Sequence, residues 1–136
     1  MNILFFLTPK SEVAYVRTDT TLQQTLDIME EYRYAVIPLI DKKGKYSGII
    51  TEGDLLYNIK NTYSYNMQEA RNTPISTLDV RRTYEPIRIT ETVEEVFKKS
   101  MYQNFVPVID DDNTFIGIVK RRDIIQYFYK KYIHET

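Results

Sequence analysis

The chain has no cysteine among its 136 residues. That excludes a disulfide scaffold, a zinc ribbon and a thiol nucleophile, and it suits a reducing cytosol. There is one histidine, His134, to which no role is assigned, and four glycines, none in a glycine-rich run. No phosphate-cradling loop, no Ser-His-acid set and no carboxylate cluster suited to a metal can be read from it. Neither sign of charge prevails: 18 basic residues face 19 acidic ones, for a net charge of −1. A general binder of nucleic acid or anionic membrane needs a dominant basic face, so both classes are excluded. Long apolar runs are also missing. Residues 3–7 are apolar but stop at Thr8-Pro9. A membrane span takes about 20 such residues, and a signal peptide takes a basic start and a small-residue cleavage site. The chain therefore reads as soluble and cytoplasmic.

What is present is a repetition. Ile37-Pro38-Leu39-Ile40-Asp41 leads through Gly48-Ile49-Ile50 to Asp54-Leu55-Leu56, and Val106-Pro107-Val108-Ile109-Asp110 leads through Gly117-Ile118-Val119 to Asp123-Ile124-Ile125. The offset is 69 throughout, with six identical positions and six exchanges of one apolar residue for another. A repeated unit this short cannot bury its apolar face alone, so two copies are expected to pack as one body. The 43% hydrophobic content is enough for such a shared core.

Earlier segments align at an offset of 71. Val13-Ala14-Tyr15-Val16 is a short β-type run matched by Tyr84-Glu85-Pro86-Ile87. Thr21-x-x-Gln24 and Thr92-x-x-Glu95 both fit a capping box, in which Thr caps a helix and Gln or Glu reaches back. Leu22, Leu26 and Met29, and likewise Val93, Phe97 and Met101, then form an apolar helical stripe. Two strands follow in each copy, over 35–40 and 46–50 and over 105–109 and 115–119, each pair joined by a polar turn. A second helix starts after Thr51 and after Lys120. The predicted fold class is α/β (α+β), each copy being strand–helix–strand–strand–helix. Residues 1–62 are assigned to the first domain, 63–80 to a linker with a short helix starting at Thr73-Pro74, and 81–136 to the second domain.

With this element order and a P-[VL]-I-D … G-I-[IV]-x-x-x-D core in both halves, the chain resembles a tandem pair of CBS domains, a Bateman module of the stand-alone bacterial type. The resemblance spans residues 5–130. It implies two pseudo-symmetric domains packed as one disc, clefts that bind adenine nucleotides, frequent homodimers, and no chemistry of its own. It assigns Val13, Ala14, Tyr34 and Ala35, just before Pro38, to the adenine side of a first cleft. Asp123 is assigned to the ribose of that cleft, with Asn104, Lys120, Arg121 and Arg122 near the phosphates. A second, weaker cleft is implied at Tyr84, Glu85, Asn104 and Phe105, with Thr51 and Asp54 facing the ribose.

Each assignment has a plainer counterpart. Thr51-x-x-Asp54 also approximates a capping box. Lys120 offers no side-chain acceptor for a cap, yet Asp123 recurs, which favours the ribose role for Asp123. Lys120 departs from the Ser or Thr usual in the family and could contact phosphate instead. Arg121 and Arg122 are either a solvated helix start or phosphate ligands at a helix N-terminus. Glu85 repels phosphate and Pro86 removes a donor, so the first cleft is preferred. The aromatic residues Tyr127, Phe128, Tyr129 and Tyr132 are expected to pack on the sheet or on a second copy.

Family ligands include AMP, ADP, ATP, S-adenosylmethionine, NADH and cyclic di-AMP. A free ribose diol suits Asp54 and Asp123, which places AMP, ADP or ATP ahead. Val13-Ala14-Tyr15-Val16, the shortened second helix ending in Asn104-Phe105-Val106 and the Arg121-Arg122 doublet instead resemble cyclic di-AMP receptors. The expected role is a regulatory sensor acting on an unidentified partner protein in trans, without a cofactor. A non-binding oligomerisation scaffold is the alternative class, and an enzyme is the least favoured.

Overall fold

The first helix begins where the capping pattern places it. In the computed structural model, which describes residues 2–80 and 83–134, α1 (Leu22–Tyr32) has Thr21 and Gln24 closing a full capping box. It ends at Arg33, whose left-handed φ of 58° stops the helix. The corresponding α4 (Val93–Ser100) is capped by Thr92 alone, because only the bond from the Glu95 N–H is made. Met101 lies past its end and is exposed, so the buried stripe of α4 runs through Val96 and Ser100 rather than through Met101.

Each repeat then forms its antiparallel strand pair: β3 (Val36–Ile40) with β4 (Tyr46–Thr51), and β6 (Phe105–Ile109) with β7 (Phe115–Lys120). The turns are closed identically. Asp41 Oδ1 accepts from Lys43 and Lys45 N–H at 2.8 and 2.9 Å, and Asp110 Oδ1 accepts from Asp112 and Thr114 N–H at 2.8 and 2.9 Å. The bond from the Lys45 amide chiefly holds the Asp41 carboxyl below its ordinary value of 3.8. Short parallel strands complete the sheets, β2 (Val16–Arg17) on β3 and β5 (Ile87–Arg88) on β6. Helices α2 (Glu52–Asn61) and α5 (Arg121–Tyr129) follow β4 and β7 directly, and α5 runs on into a π-helical turn, Lys130–His134.

Two compact units result: Ala14–Thr83, and Met1–Val13 together with Tyr84–Thr136. The division differs from the boundaries read from sequence, because the segment before the first repeat packs on the second. Its β1 (Leu7–Pro9) pairs antiparallel with β7, bringing Pro9 opposite Gly117 and giving the sheet order β1-β7-β6-β5. A Cβ at Gly117 would stand 2.2 Å from the Thr8 carbonyl, so this crossing requires glycine. Ile3 and Phe6 of the same segment join Ile87, Val96, Val106, Val108, Val119 and Ile124 in the core.

In the first-repeat unit the core is Val16, Leu22, Met29, Ile37, Leu39, Ile50 and Leu55, closed by Ala70, Ile75 and Leu78 of the linker. The linker is therefore structural. It holds α3 (Met67–Ala70) and a 3-10 turn, Ile75–Thr77, that begins after Pro74. It is tied to α1 by bonds from Leu22 N–H to Thr73 O and from Gln23 N–H to Arg71 O. Asn58 of α2 fixes its far end, donating to Asp79 O and accepting from Asp79 N–H at 2.9 and 3.1 Å.

Candidate functional site

The β–α junctions of the two repeats share a backbone plan and differ in what closes it. In the first, Thr51 and Asp54 make both bonds of a capping box. Asp54 N–H donates to Thr51 Oγ1 and Thr51 N–H donates to Asp54 Oδ2, each at 3.0 Å. Asp54 is buried, at 3% exposure. Its carboxylate therefore spends hydrogen-bonding capacity on the helix start.

In the second, Lys120 occupies the N-cap and makes no side-chain capping bond. The junction is held by backbone, with Arg121 N–H donating to Asn104 O at 3.0 Å, just as Glu52 N–H donates to Ala35 O in the first repeat. Arg121 is anchored further by its Nε–H, which donates to Gln103 O at 3.1 Å. With no side-chain capping bond, and with Arg121 and Arg122 outnumbering Asp123 in the first turn, this helix start is electropositive. Asn104, Arg121 and Arg122 are brought together on one groove of about 520 Å³, continued along α5 by Ile125, Gln126 and Tyr129. Asp123 is half-buried and faces a different depression, about 380 Å³, walled by Phe6, Thr8, Tyr127 and Lys130. The arginine doublet and Asp123 thus present anion-binding and hydroxyl-accepting groups to two sides of one helix start.

The residues assigned to the second cleft's adenine side also meet within this unit. Tyr84 is buried edge-on to Phe105, with ring centroids 5.0 Å apart, and its hydroxyl accepts from Asn104 N–H at 3.3 Å. The Glu85 carboxylate reaches Lys99 Nζ at 3.1 Å. Sequence reading missed Gln103, which is buried here and bonded to the Glu85 backbone. A lone glutamine in a loop carries no motif that could have singled it out.

For the first cleft, Val13 closes a 3-10 turn through its N–H to Lys10 O and belongs to the unit that carries α5. Ala14 opens the other unit. There Tyr34 is partly exposed and stacked on Tyr32, with centroids 6.2 Å apart, the Ala35 carbonyl holds the start of α2, and Pro38 is buried in β3 opposite Ile49. Among the described residues no group of His, Asp or Glu is placed to hold a metal ion, and no helix is long and apolar enough to cross a membrane.

Comparison with known proteins agrees with this architecture. The family model described as "CBS domain" matches residues 6–61 and again 76–130. The chain is 29% identical over 117 residues to inosine-5'-monophosphate dehydrogenase of Aquifex aeolicus, an alignment covering 86% of this chain and 22% of that enzyme. It spans about a fifth of the length of such curated relatives. Among solved structures it is similar to CbpB in complex with c-di-AMP, with a TM-score of 0.84 and 25% identity, covering 99% of this chain and 88% of that one. CBSX2 in complex with AMP shares the fold, with a TM-score of 0.74 and 20% identity over 96% of this chain and 97% of that one. Two matched segments, each with the same strands, capped helix and β–α junction, mean that this chain belongs to the CBS-domain family as a tandem pair.

Proposed function

We infer that the chain is a nucleotide-sensing regulatory module whose ligand state is read by a partner protein. The observation that carries this reading is the start of α5, where no side chain caps the helix and two guanidinium groups stand in its first turn. Phosphate oxygens accept from helix N-terminal amides and from arginine at once. The start of α2 is already occupied by its own capping box, in which Thr51 Oγ1 takes the Asp54 N–H, so phosphate there would compete with that hydroxyl.

Two ligands fit, and cyclic di-AMP is placed first. The case for a mononucleotide used Asp54 and Asp123 as acceptors for a free ribose diol, and Asp54 is committed to the Thr51 N–H. In a cyclic dinucleotide the 3′-hydroxyl is esterified, so only a 2′-hydroxyl needs an acceptor, and Asp123 supplies one. The likeness to CbpB in complex with c-di-AMP, over nearly the whole chain, supports this order. AMP, ADP and ATP form the second reading, in keeping with the fold shared with CBSX2 in complex with AMP. In either case Lys120 is an additional cation for the phosphates. The reading assigns the chain no chemistry and places it in the cytoplasm, where these nucleotides are found.

The exposed face of α5 and the following turn, Ile125, Tyr129, Tyr132 and Ile133, further supports pairing with a second copy.

A thermal-shift panel of cyclic di-AMP, AMP, ADP and ATP tests the ligand assignment. A ligand at about 100 times its dissociation constant adds roughly 2.7 kcal/mol, worth several degrees for a domain of this size. No shift with any of the four at millimolar concentration would leave the scaffold reading in its place.

A further inference from the structure

The two repeats are alike in their apolar positions and opposite in much of their surface charge. Over the window aligned at an offset of 69, five positions are charged in both copies: Asp41/Asp110, Lys42/Asp111, Lys43/Asp112, Glu52/Arg121 and Asp54/Asp123. The two pairs that keep their sign are not fully exposed. Asp41 and Asp110 close the turns, Asp54 is buried and Asp123 is half-buried. The other three pairs are inverted. Of these, Arg121 is held by Gln103 O and is assigned above to the phosphates, which leaves the two turns as the inverted surface.

Both turns have the same scaffold. An arginine from the short parallel strand grips each one: Arg17 donates to Lys42 O at 3.4 Å, and Arg88 donates to Asp110 O and Asp111 O at 3.3 Å each. On these matching frames Lys42 and Lys43, and Asp111 and Asp112, are all exposed. The helices that follow also correspond. Leu56 and Lys60 on α2 match Ile125 and Tyr129 on α5, and all four are exposed. Two copies of the chain can pair like with like, each repeat on the same repeat, or crosswise, first repeat on second. Like pairing sets Lys42 and Lys43 against themselves, Asp111 and Asp112 against themselves, and Lys60 against Lys60. Crosswise pairing brings opposite charges together at the turns and an ammonium toward the Tyr129 ring. Under two-fold symmetry a crosswise contact made once is made twice.

We propose that the chain self-associates crosswise, the basic turn of one copy docking on the acidic turn of the other with α2 laid against α5. Leu56 and Ile125 supply the apolar contact, and the turns choose its sense. The inference goes beyond nucleotide sensing and does not depend on it.

Disulfide mapping tests the sense of pairing, and a chain with no native cysteine suits it. Lys42→Cys and Asp111→Cys, oxidised as an equal mixture at micromolar concentration, should crosslink to each other, and neither should crosslink alone. Crosslinking of either variant with itself, or none in the mixture, would overturn the proposal. Light scattering gives an independent reading. Wild-type association should weaken with added salt. Lys42→Glu with Lys43→Glu should weaken it at least about tenfold, as should Asp111→Lys with Asp112→Lys, and mixing the two variants should restore it. Association that neither salt nor charge reversal weakens would also overturn the proposal. The same variants should keep the wild-type thermal shift with cyclic di-AMP, since no turn residue belongs to the nucleotide site. No shift in any chain, wild type included, would overturn the nucleotide reading and leave crosswise pairing standing.

Discussion

Asp54 and Asp123 occupy the same place in the two repeats and are held differently. Asp54 closes a capping box, whereas Asp123 follows a lysine that cannot cap and faces a depression beside Thr8. The sequence allowed both roles for Thr51-x-x-Asp54, since a capping acid and a ribose-binding acid have the same spacing. The structure shows the capping bond from the Thr51 N–H to one carboxylate oxygen. Beside Asp123, Arg121 and Arg122 are expected to act on phosphate alone. Replacing both with alanine should weaken a phosphorylated adenine ligand at least about tenfold, since each sheltered charge-assisted contact contributes roughly 1.5–3 kcal/mol. Adenosine binding should be almost unchanged, and wild-type affinity for the phosphorylated ligand should fall with added salt. Titration calorimetry at two salt concentrations checks this, and equal losses for adenosine and the phosphorylated ligand would place the damage in the fold. Asp41 gives a second test at this scale. Its carboxyl is held below 3.8 in the folded chain, chiefly by the Lys45 amide, so its contribution is complete above that value and lost as pH falls through the lowered one. Wild type and Asp41→Ala should therefore differ in Tm at neutral pH and converge in acid. A difference that persists at the lowest pH would contradict the assignment.

At the scale of elements, the helices and the long strands were legible because each is announced locally. Thr21-x-x-Gln24 and Thr92-x-x-Glu95 precede α1 and α4, and short, mostly continuous apolar runs flanked by polar turns give β3, β4, β6 and β7. The strand β1 was not legible. Three residues ending in proline carry no periodicity, and their partner β7 lies more than 100 residues away. Gly117 was visible as a repeated glycine, but its reason, the Thr8 carbonyl crossing over it, is a tertiary contact. Gly117→Ala should therefore destabilise the protein by about 1–3 kcal/mol through overpacking. Gly53→Ala should be tolerated, because the nearest atom to its Cβ would be Thr51 Oγ1 at 3.6 Å. Chemical denaturation of both variants gives the comparison, and equal losses would remove the special role of the β1 crossing. Asn58→Ala should also cost about 1–3 kcal/mol, since it leaves Asp79 N–H without its acceptor.

At the scale of the whole molecule, the repeat made the tandem pair legible, and the family match over 6–61 and 76–130 agrees with it. The composition of each unit was not legible. A linker that reads as polar supplies Ala70, Ile75 and Leu78 to a core, and an apolar start joins the second repeat. Both depend on which sheet a segment lands on, which composition does not encode. The exposed Ile125, Tyr129, Tyr132 and Ile133 lead us to expect a homodimer. Light scattering at micromolar concentration should give twice the 16.2 kDa chain mass, and Ile125→Glu with Tyr129→Glu should return a monomer. A wild-type monomer would rule the pairing out. The central claim, that a nucleotide docks its phosphates at the start of α5 and leaves α2 sealed, is tested most directly by following backbone amide resonances while cyclic di-AMP is added. The account predicts that Arg121, Arg122 and Asp123 shift and saturate together while Thr51 and Asp54 keep their positions. Shifts centred on Thr51 and Asp54 with Arg121–Asp123 unmoved would contradict it.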